Sequence, residues 1–131
     1  MRIAYTVSRI LLGLIFAVLG MNGFIPYIPM NPSMVPQTAM SFFMAMTTSH
    51  FAYFVYGVQV LSGILLLANR YVVLALVMLA GIITNILAFH ITMWPQSLVP
   101  MPILVTILWF IAAWGVRAYF APIFTPKAEV A

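Results

Sequence analysis

Long apolar runs, interrupted only by prolines, glycines and asparagines, make up most of the chain. A helix that crosses a membrane needs roughly 20 mostly apolar residues, and dividing the runs at the interrupting residues predicts four such helices. They cover about residues 3–24, 50–68, 71–91 and 103–120, with only a tight turn at 69–70 between the second and third. The pattern therefore predicts an all-α fold, a polytopic membrane four-helix bundle in which residues 1–131 form a single transmembrane domain.

Proline-rich segments separate the predicted spans. Residues 25–36 contain four prolines and residues 92–102 contain three. Because proline lacks a backbone donor and disfavours helix in the residue before it, both segments are predicted loops. Residues 36–48 return to helical spacing but are too short to cross a bilayer, which predicts a short interfacial helix between spans 1 and 2. The last residues, about 123–131, are predicted to form a flexible tail.

Composition excludes several classes of protein. Charged residues are 5% of the chain and hydrophobic residues 66%, whereas soluble domains average about 25% charged residues. The chain is therefore not a soluble globular protein. One acidic residue, Glu129, cannot supply a catalytic carboxylate pair, and the lack of cysteine excludes disulfides, thiol catalysis, iron–sulfur clusters and cysteine-bound zinc. The dispersed basic residues form no patch for nucleic acid.

The basic residues indicate the orientation in the membrane. If the chain crosses four times, Arg2, Arg9, Arg70, Arg117 and Lys127 all fall on one side, and the two other loops contain no Lys or Arg. Cytoplasmic loops of membrane proteins are enriched in these residues. We therefore predict a multi-pass protein of the cytoplasmic (inner) membrane with both termini in the cytoplasm.

Polar side chains inside the apolar spans are the candidate functional residues, because they are costly in hydrocarbon. Counting outward from the turn at 69–70 places two of them, His50 and His90, at the same depth. We predict a pocket toward the outer leaflet that binds a quinone or a similar lipid-soluble ligand. The alternative is that these side chains only cap helices or join them by hydrogen bonds. The candidate ligand-binding residues are Asn22, His50, Gln59, Asn85 and His90.

The two histidines and Arg9 are candidates for two further kinds of site. Histidine is a standard haem ligand, so His50 and His90 are the candidate axial ligands, although two residues are a weak signal and we predict no metal site. Arg9 lies about two turns into the first span. Its long side chain can extend to the cytoplasmic lipid headgroups, either by snorkelling alone or by binding a lipid phosphate.

Six short segments are distinctive in their order and spacing: RILLG at 9–13, GMNGF at 20–24, GVQVLSG at 57–63, NR at 69–70, NILAFH at 85–90 and WGVRAYF at 114–120. Together they resemble the DoxX-like family of small integral membrane proteins over about residues 9–120. The resemblance implies a four-helix membrane bundle. It also implies an association with membrane redox systems, such as subunits of thiosulfate:quinone oxidoreductase and partners in oxidative-stress complexes.

The sequence departs from the family pattern at two positions. The family often has an acidic residue where Gln59 stands and a lysine where Gly23 stands. A glutamine side chain does not titrate, so no proton can be transferred through it in the way a carboxylate would allow. This departure argues against catalysis more than against the fold.

These observations predict an accessory subunit of a quinone-linked membrane redox system rather than an enzyme acting alone. The predicted partners are the lipid bilayer and either other membrane or peripheral redox proteins or further copies of the chain. One alternative is a purely structural or assembly subunit without a ligand. A small transporter is the other alternative, but the chain shows no convincing internal repeat and no charged pathway.

Overall fold

The computed structural model describes all residues of the chain, and its regular structure is entirely helical. Five α-helices form where the sequence predicts helix, and short 3₁₀ turns occupy Pro32–Met34, Pro95–Ser97, Arg117–Tyr119 and Ala121–Phe124. The all-α prediction is confirmed. The α-helices are α1 (Arg2–Phe24), α2 (Gln37–Thr48), α3 (Phe51–Ala68), α4 (Val72–Met93) and α5 (Met101–Gly115).

Three of these helices, α1, α3 and α4, are long and apolar enough to cross a membrane. The fourth predicted span differs from the prediction, because α5 ends at Gly115 and the chain turns by 81° into the segment Arg117–Phe124. The Arg117 guanidinium donates to the carbonyl of Trp114 at 2.9 Å and lies 4.5 Å from its ring centroid. This contact ends the helix by satisfying one of its last carbonyls.

The long helices pack in a closed circuit, in which α1 contacts α3 and α5, and α4 contacts the same two helices from the other side. Their shared core consists of aliphatic and aromatic side chains from all four helices. Because each helix buries only one stripe, many large apolar side chains remain on the outer surface, including Ile3, Phe54 and Phe110. The largest core side chains are Leu12, Phe16, Leu66, Leu76 and Leu79.

Glycines allow α1 and α3 to meet at backbone contact. A Cβ atom placed on Gly63 would lie 2.6 Å from the Ala17 nitrogen and 2.7 Å from the Gly13 carbonyl oxygen. About one turn further along the same interface, a Cβ on Gly20 would lie 2.7 Å from a methyl group of Val60. Small residues of this kind are typical of helix interfaces that pack without large side chains between them.

Arg9 corrects the snorkelling prediction. Its side chain is only 8% exposed, and its Nη1 donates to the carbonyl of Leu66, in the last turn of α3. The antiparallel packing of α1 and α3 places the guanidinium at a helix C-terminus, where the carbonyl groups carry partial negative charge. Arg9 is therefore turned into the α1–α3 interface rather than out toward headgroups.

The two ends of the bundle differ in character. One end, here called the basic end, holds Arg2, Arg9, Arg70 and Arg117, because the start of α1 meets both the end of α3, where Arg9 bonds to Leu66, and the end of α5. The position of Tyr5 against Gly115 demonstrates this meeting, since a Cβ on the glycine would lie 2.5 Å from the tyrosine ring. The opposite end carries the first loop, α2 and the start of α3.

Candidate functional site

A cavity of about 1050 Å³ opens at the end of the bundle opposite the basic end. The end of α1, residues 25–30 of the first loop, α2 and the start of α3 surround it, and neither α4 nor α5 contributes to its lining. A volume of this order suits a small organic molecule. The lining also includes Met30 and Met46, and its aromatic or polar side chains are Asn22, Phe24, Tyr27, Phe43, Thr47, His50, Tyr53 and Tyr56.

The sequence around Asn22 folds the first loop over this cavity. The Asn22 Oδ1 accepts hydrogen bonds from the backbone nitrogens of Tyr27 at 2.9 Å and Ile28 at 2.8 Å. The Tyr27 hydroxyl donates to the carbonyl of Val18, one turn before Asn22. Asparagine readily makes such side-chain bonds to nearby backbone. These bonds tie residues 25–30 to the end of α1, although the loop itself has no regular helix there.

Three aromatic rings form a nearly parallel row along one wall of the cavity. The centroids of Phe24 and Tyr53 are 5.5 Å apart with an interplanar angle of 8°, and those of Tyr53 and His50 are 5.9 Å apart with an angle of 12°. The ring of Tyr56 meets Phe24 edge-on at 6.3 Å. Gly23 leaves the space for Tyr56, since a Cβ there would lie 2.1 Å from that ring. The rings therefore face one another along the row, which ends at Phe24 on one side and at His50 on the other.

His50 holds its position through an uncommon backbone conformation. Its φ is 64°, in the left-handed region, where residues other than glycine are infrequent. This conformation forms the sharp turn between α2 and α3. Asn69 and Tyr71, in the turn between α3 and α4, have the same kind of conformation. In the turn at His50, the imidazole lies nearly parallel to the Tyr53 ring, with centroids 5.9 Å apart.

The cavity lining has no Asp, Glu, Lys or Arg. Its polar groups are the amide of Asn22, the hydroxyls of Thr47 and the tyrosines, and the His50 ring. Such a lining, apolar with a few hydrogen-bonding groups, suits an uncharged ligand that is largely hydrophobic.

His90 lies outside the cavity, although its distance from the turn at 69–70 predicts the same depth as that of His50. Its Nδ1 pairs with the Ser97 hydroxyl, and its ring stacks on Trp94 with centroids 6.1 Å apart. Phe43 of α2 lines the cavity and also packs on Phe89, the residue before His90, at 5.1 Å. His90 is thus absent from the lining that contains His50, and the structure does not place the two candidate haem ligands in one cavity.

The remaining two candidates also lie outside the cavity lining. Gln59 is buried on α3 against α1. A Cβ placed on Gly20 of α1 would lie 3.2 Å from the Cβ of Gln59. Asn85 lies on an exposed face of α4 and donates through Nδ2 to the carbonyl of Gly81 at 2.9 Å. Of the five predicted ligand-binding residues, the structure brings together Asn22 and His50.

Of the residues in the aromatic wall, only His50 is among the predicted ligand-binding residues. His50, Tyr53 and Tyr56 follow one another at intervals of three residues, and residues at this spacing lie on one face of a helix. That signal was present in the sequence. The contribution of Phe24 could not be found in this way, because its ring comes from another helix.

Comparisons with protein-family models, with curated proteins and with solved structures find no match to this chain. The resemblance to the DoxX-like family therefore stays a prediction from the sequence, and the proposals below depend on the geometry of the chain.

Proposed function

We propose that this chain is a DoxX-like protein of the cytoplasmic membrane that crosses the bilayer four times and binds a lipid-soluble ring, such as a quinone, in the cavity near the outer surface. It serves as an accessory subunit of a membrane redox system, and the redox chemistry belongs to the bound molecule or to a partner protein. The three apolar helices and the clustering of arginines at one end support this orientation, with α5 and its bent continuation forming the fourth crossing.

The row of parallel rings formed by Phe24, Tyr53 and His50 is the observation that carries the proposal. A flat ring that enters the cavity can extend this row by offset stacking, which contributes about 0.5–1.5 kcal/mol per aromatic pair beyond the buried area. The hydroxyls of Tyr53 and Tyr56 and the imidazole of His50 can donate hydrogen bonds to the ring oxygens of a quinone, whereas the Tyr27 hydroxyl already donates to Val18. The apolar loop and the methionines suit an isoprenoid tail.

Binding of a short-chain ubiquinone analogue to the reconstituted protein tests this proposal. An added ring would stack on one of the two end rings, so Phe24→Leu and His50→Asn remove these rings in turn, asparagine being a residue that tolerates the positive φ of position 50. We expect the dissociation constant to rise about tenfold in the variant that has lost the stacking ring. Phe110→Leu is the matched control, because Phe110 is 64% exposed on α5, away from the cavity. Equal affinities for the wild-type protein and both end-ring variants would refute the proposed binding mode.

A structural subunit without a ligand is the second candidate function. Specific observations favour it, since Arg9, Asn22 and His90 all bond to groups of the chain itself. Under this function, mass spectrometry of protein purified in mild detergent from its native membrane finds ordinary phospholipids only. A quinone retained in stoichiometric amount favours the first candidate instead.

A further inference from the structure

Asn85 is a polar side chain on the outer face of α4, and the proposed ligand cavity does not use it. It lies 13 residues after Val72, so it is about 20 Å along a helix of about 32 Å. This places it inside the hydrocarbon layer, in contact with lipid tails, if the chain spans the membrane as proposed. An amide in this position is expensive unless its hydrogen bonds are made within protein.

The helix itself satisfies only part of the hydrogen-bonding capacity of this amide. One N–H of Asn85 donates to the carbonyl of Gly81 at 2.9 Å. Thr84 and Thr92, nearby on the same helix, donate their single hydroxyl protons to Ala80 and Ala88 at 2.7 Å. An asparagine has two N–H donors and a carbonyl oxygen, so Asn85 retains one donor and its acceptor for a partner outside the chain, whereas the threonine donors are already used.

The surface around Asn85 allows another helix to come close. Gly81, one turn before it, is exposed, and a Cβ there would meet no atom within 4 Å. Ala88, three residues after it, is also exposed and small. By contrast, the outer faces of α3 and α5 carry large side chains such as Ile64 and Ile107, each 52% exposed.

We propose that the face of α4 formed by Gly81, Asn85 and Ala88 is the interface through which two copies of this chain associate in the membrane. Copies inserted in the same orientation hold Asn85 at the same depth, and a twofold axis along the membrane normal brings the two amides opposite each other. An amide is complementary to itself, because each side chain donates to the carbonyl oxygen of the other. The face carries no charge that would require a different partner.

This interface is independent of the proposed quinone site, because α4 contributes no residue to the cavity. A failure of the dimer therefore leaves the ligand proposal unchanged, and a failure of quinone binding leaves the dimer unchanged.

The absence of cysteine makes single-cysteine cross-linking a clean test. Gly81→Cys and Ala88→Cys place thiols on the proposed interface, whereas Ile64→Cys and Ile107→Cys place them on the other outer faces. Each variant is reconstituted alone in phospholipid vesicles at low protein density and oxidised. We expect disulfide-linked dimers at the two α4 positions only. Equal cross-linking at all four positions, or none on α4, would overturn the proposal.

The role of the amide itself is tested by Asn85→Leu and Asn85→Gln. Energy transfer between labelled copies, measured as the vesicles are diluted with lipid, gives the dimer dissociation constant. We expect Asn85→Leu to raise it about tenfold and Asn85→Gln, which keeps the amide, to restore most of the affinity. An unchanged thermal unfolding temperature in detergent verifies that the leucine variant is folded. An unchanged dissociation constant in a folded leucine variant contradicts the proposal, as does cross-linking in native membranes exclusively to a different protein.

Discussion

Adding one methyl group at Gly63 tests whether α1 and α3 meet at backbone contact. The new Cβ would lie 2.6 Å from the Ala17 nitrogen and 2.7 Å from the Gly13 oxygen, whereas ordinary contacts begin near 3.4 Å. Both opposing atoms belong to backbone and cannot rotate away. The helices must therefore separate by up to about 0.8 Å, the difference between 3.4 and 2.6 Å, and a gap of this size removes a quarter to a half of the dispersion attraction between facing atoms.

The net effect of Gly63→Ala follows from two opposing contributions. Overpacking of a well-packed interface costs about 1–3 kcal/mol, and the rigid backbone contacts here favour the upper part of that range. Alanine improves helix propensity over glycine by about 1 kcal/mol. We therefore expect Gly63→Ala to lower the free energy of unfolding by about 2 kcal/mol.

The assay is denaturant unfolding of the monomeric protein in mild detergent, followed by circular dichroism. Gly57→Ala is the control on the same helix, because its Cβ would lie 4.0 Å from the nearest side-chain atom, and Gly81→Ala is the control in open space. Both controls should equal or exceed the wild-type stability through the gain in helix propensity. If Gly63→Ala is as stable as Gly57→Ala, the close packing of α1 and α3 is refuted.

Three further predictions concern polar side chains. Arg9→Ala removes a charge-assisted hydrogen bond to the end of α3 and should lower the free energy of unfolding by about 2 kcal/mol in the same assay. Arg2→Ala, at an exposed position, should change that free energy little. Equal effects of the two substitutions would contradict the capping role of Arg9. Asn22→Ala leaves the N–H groups of Tyr27 and Ile28 without their acceptor, so hydrogen exchange within residues 25–30 should accelerate about five- to thirtyfold. Unchanged exchange would show that Asn22 does not hold the loop. His50→Gly relieves a positive φ and should raise the free energy of unfolding by about 1 kcal/mol. Because the ring is lost, the same substitution should weaken binding of the ubiquinone analogue. A lower free energy of unfolding would show that the turn at His50 is not strained.

Local information in the sequence was sufficient for the helices. Apolar length and the positions of proline determined α1 to α4 nearly to their ends, and the predicted short helix at 36–48 forms as Gln37–Thr48. The last predicted span was too long, because the contact of Arg117 with the Trp114 carbonyl and ring ends α5 earlier. Apolar content alone carries no sign of such a contact.

Sequence spacing also gave the depth of each polar side chain along its helix, but the tertiary structure decided which of them share a site. Asn22 and His50 reach one cavity, while Gln59 lies buried against α1 and Asn85 lies on the outer surface. The reason is geometric, since depth follows from residue number, whereas the direction of a side chain depends on how each helix is rotated against its neighbours. His90 is likewise held by Ser97 and Trp94 and not by the cavity that contains His50, which is a property of packing and not of any one segment.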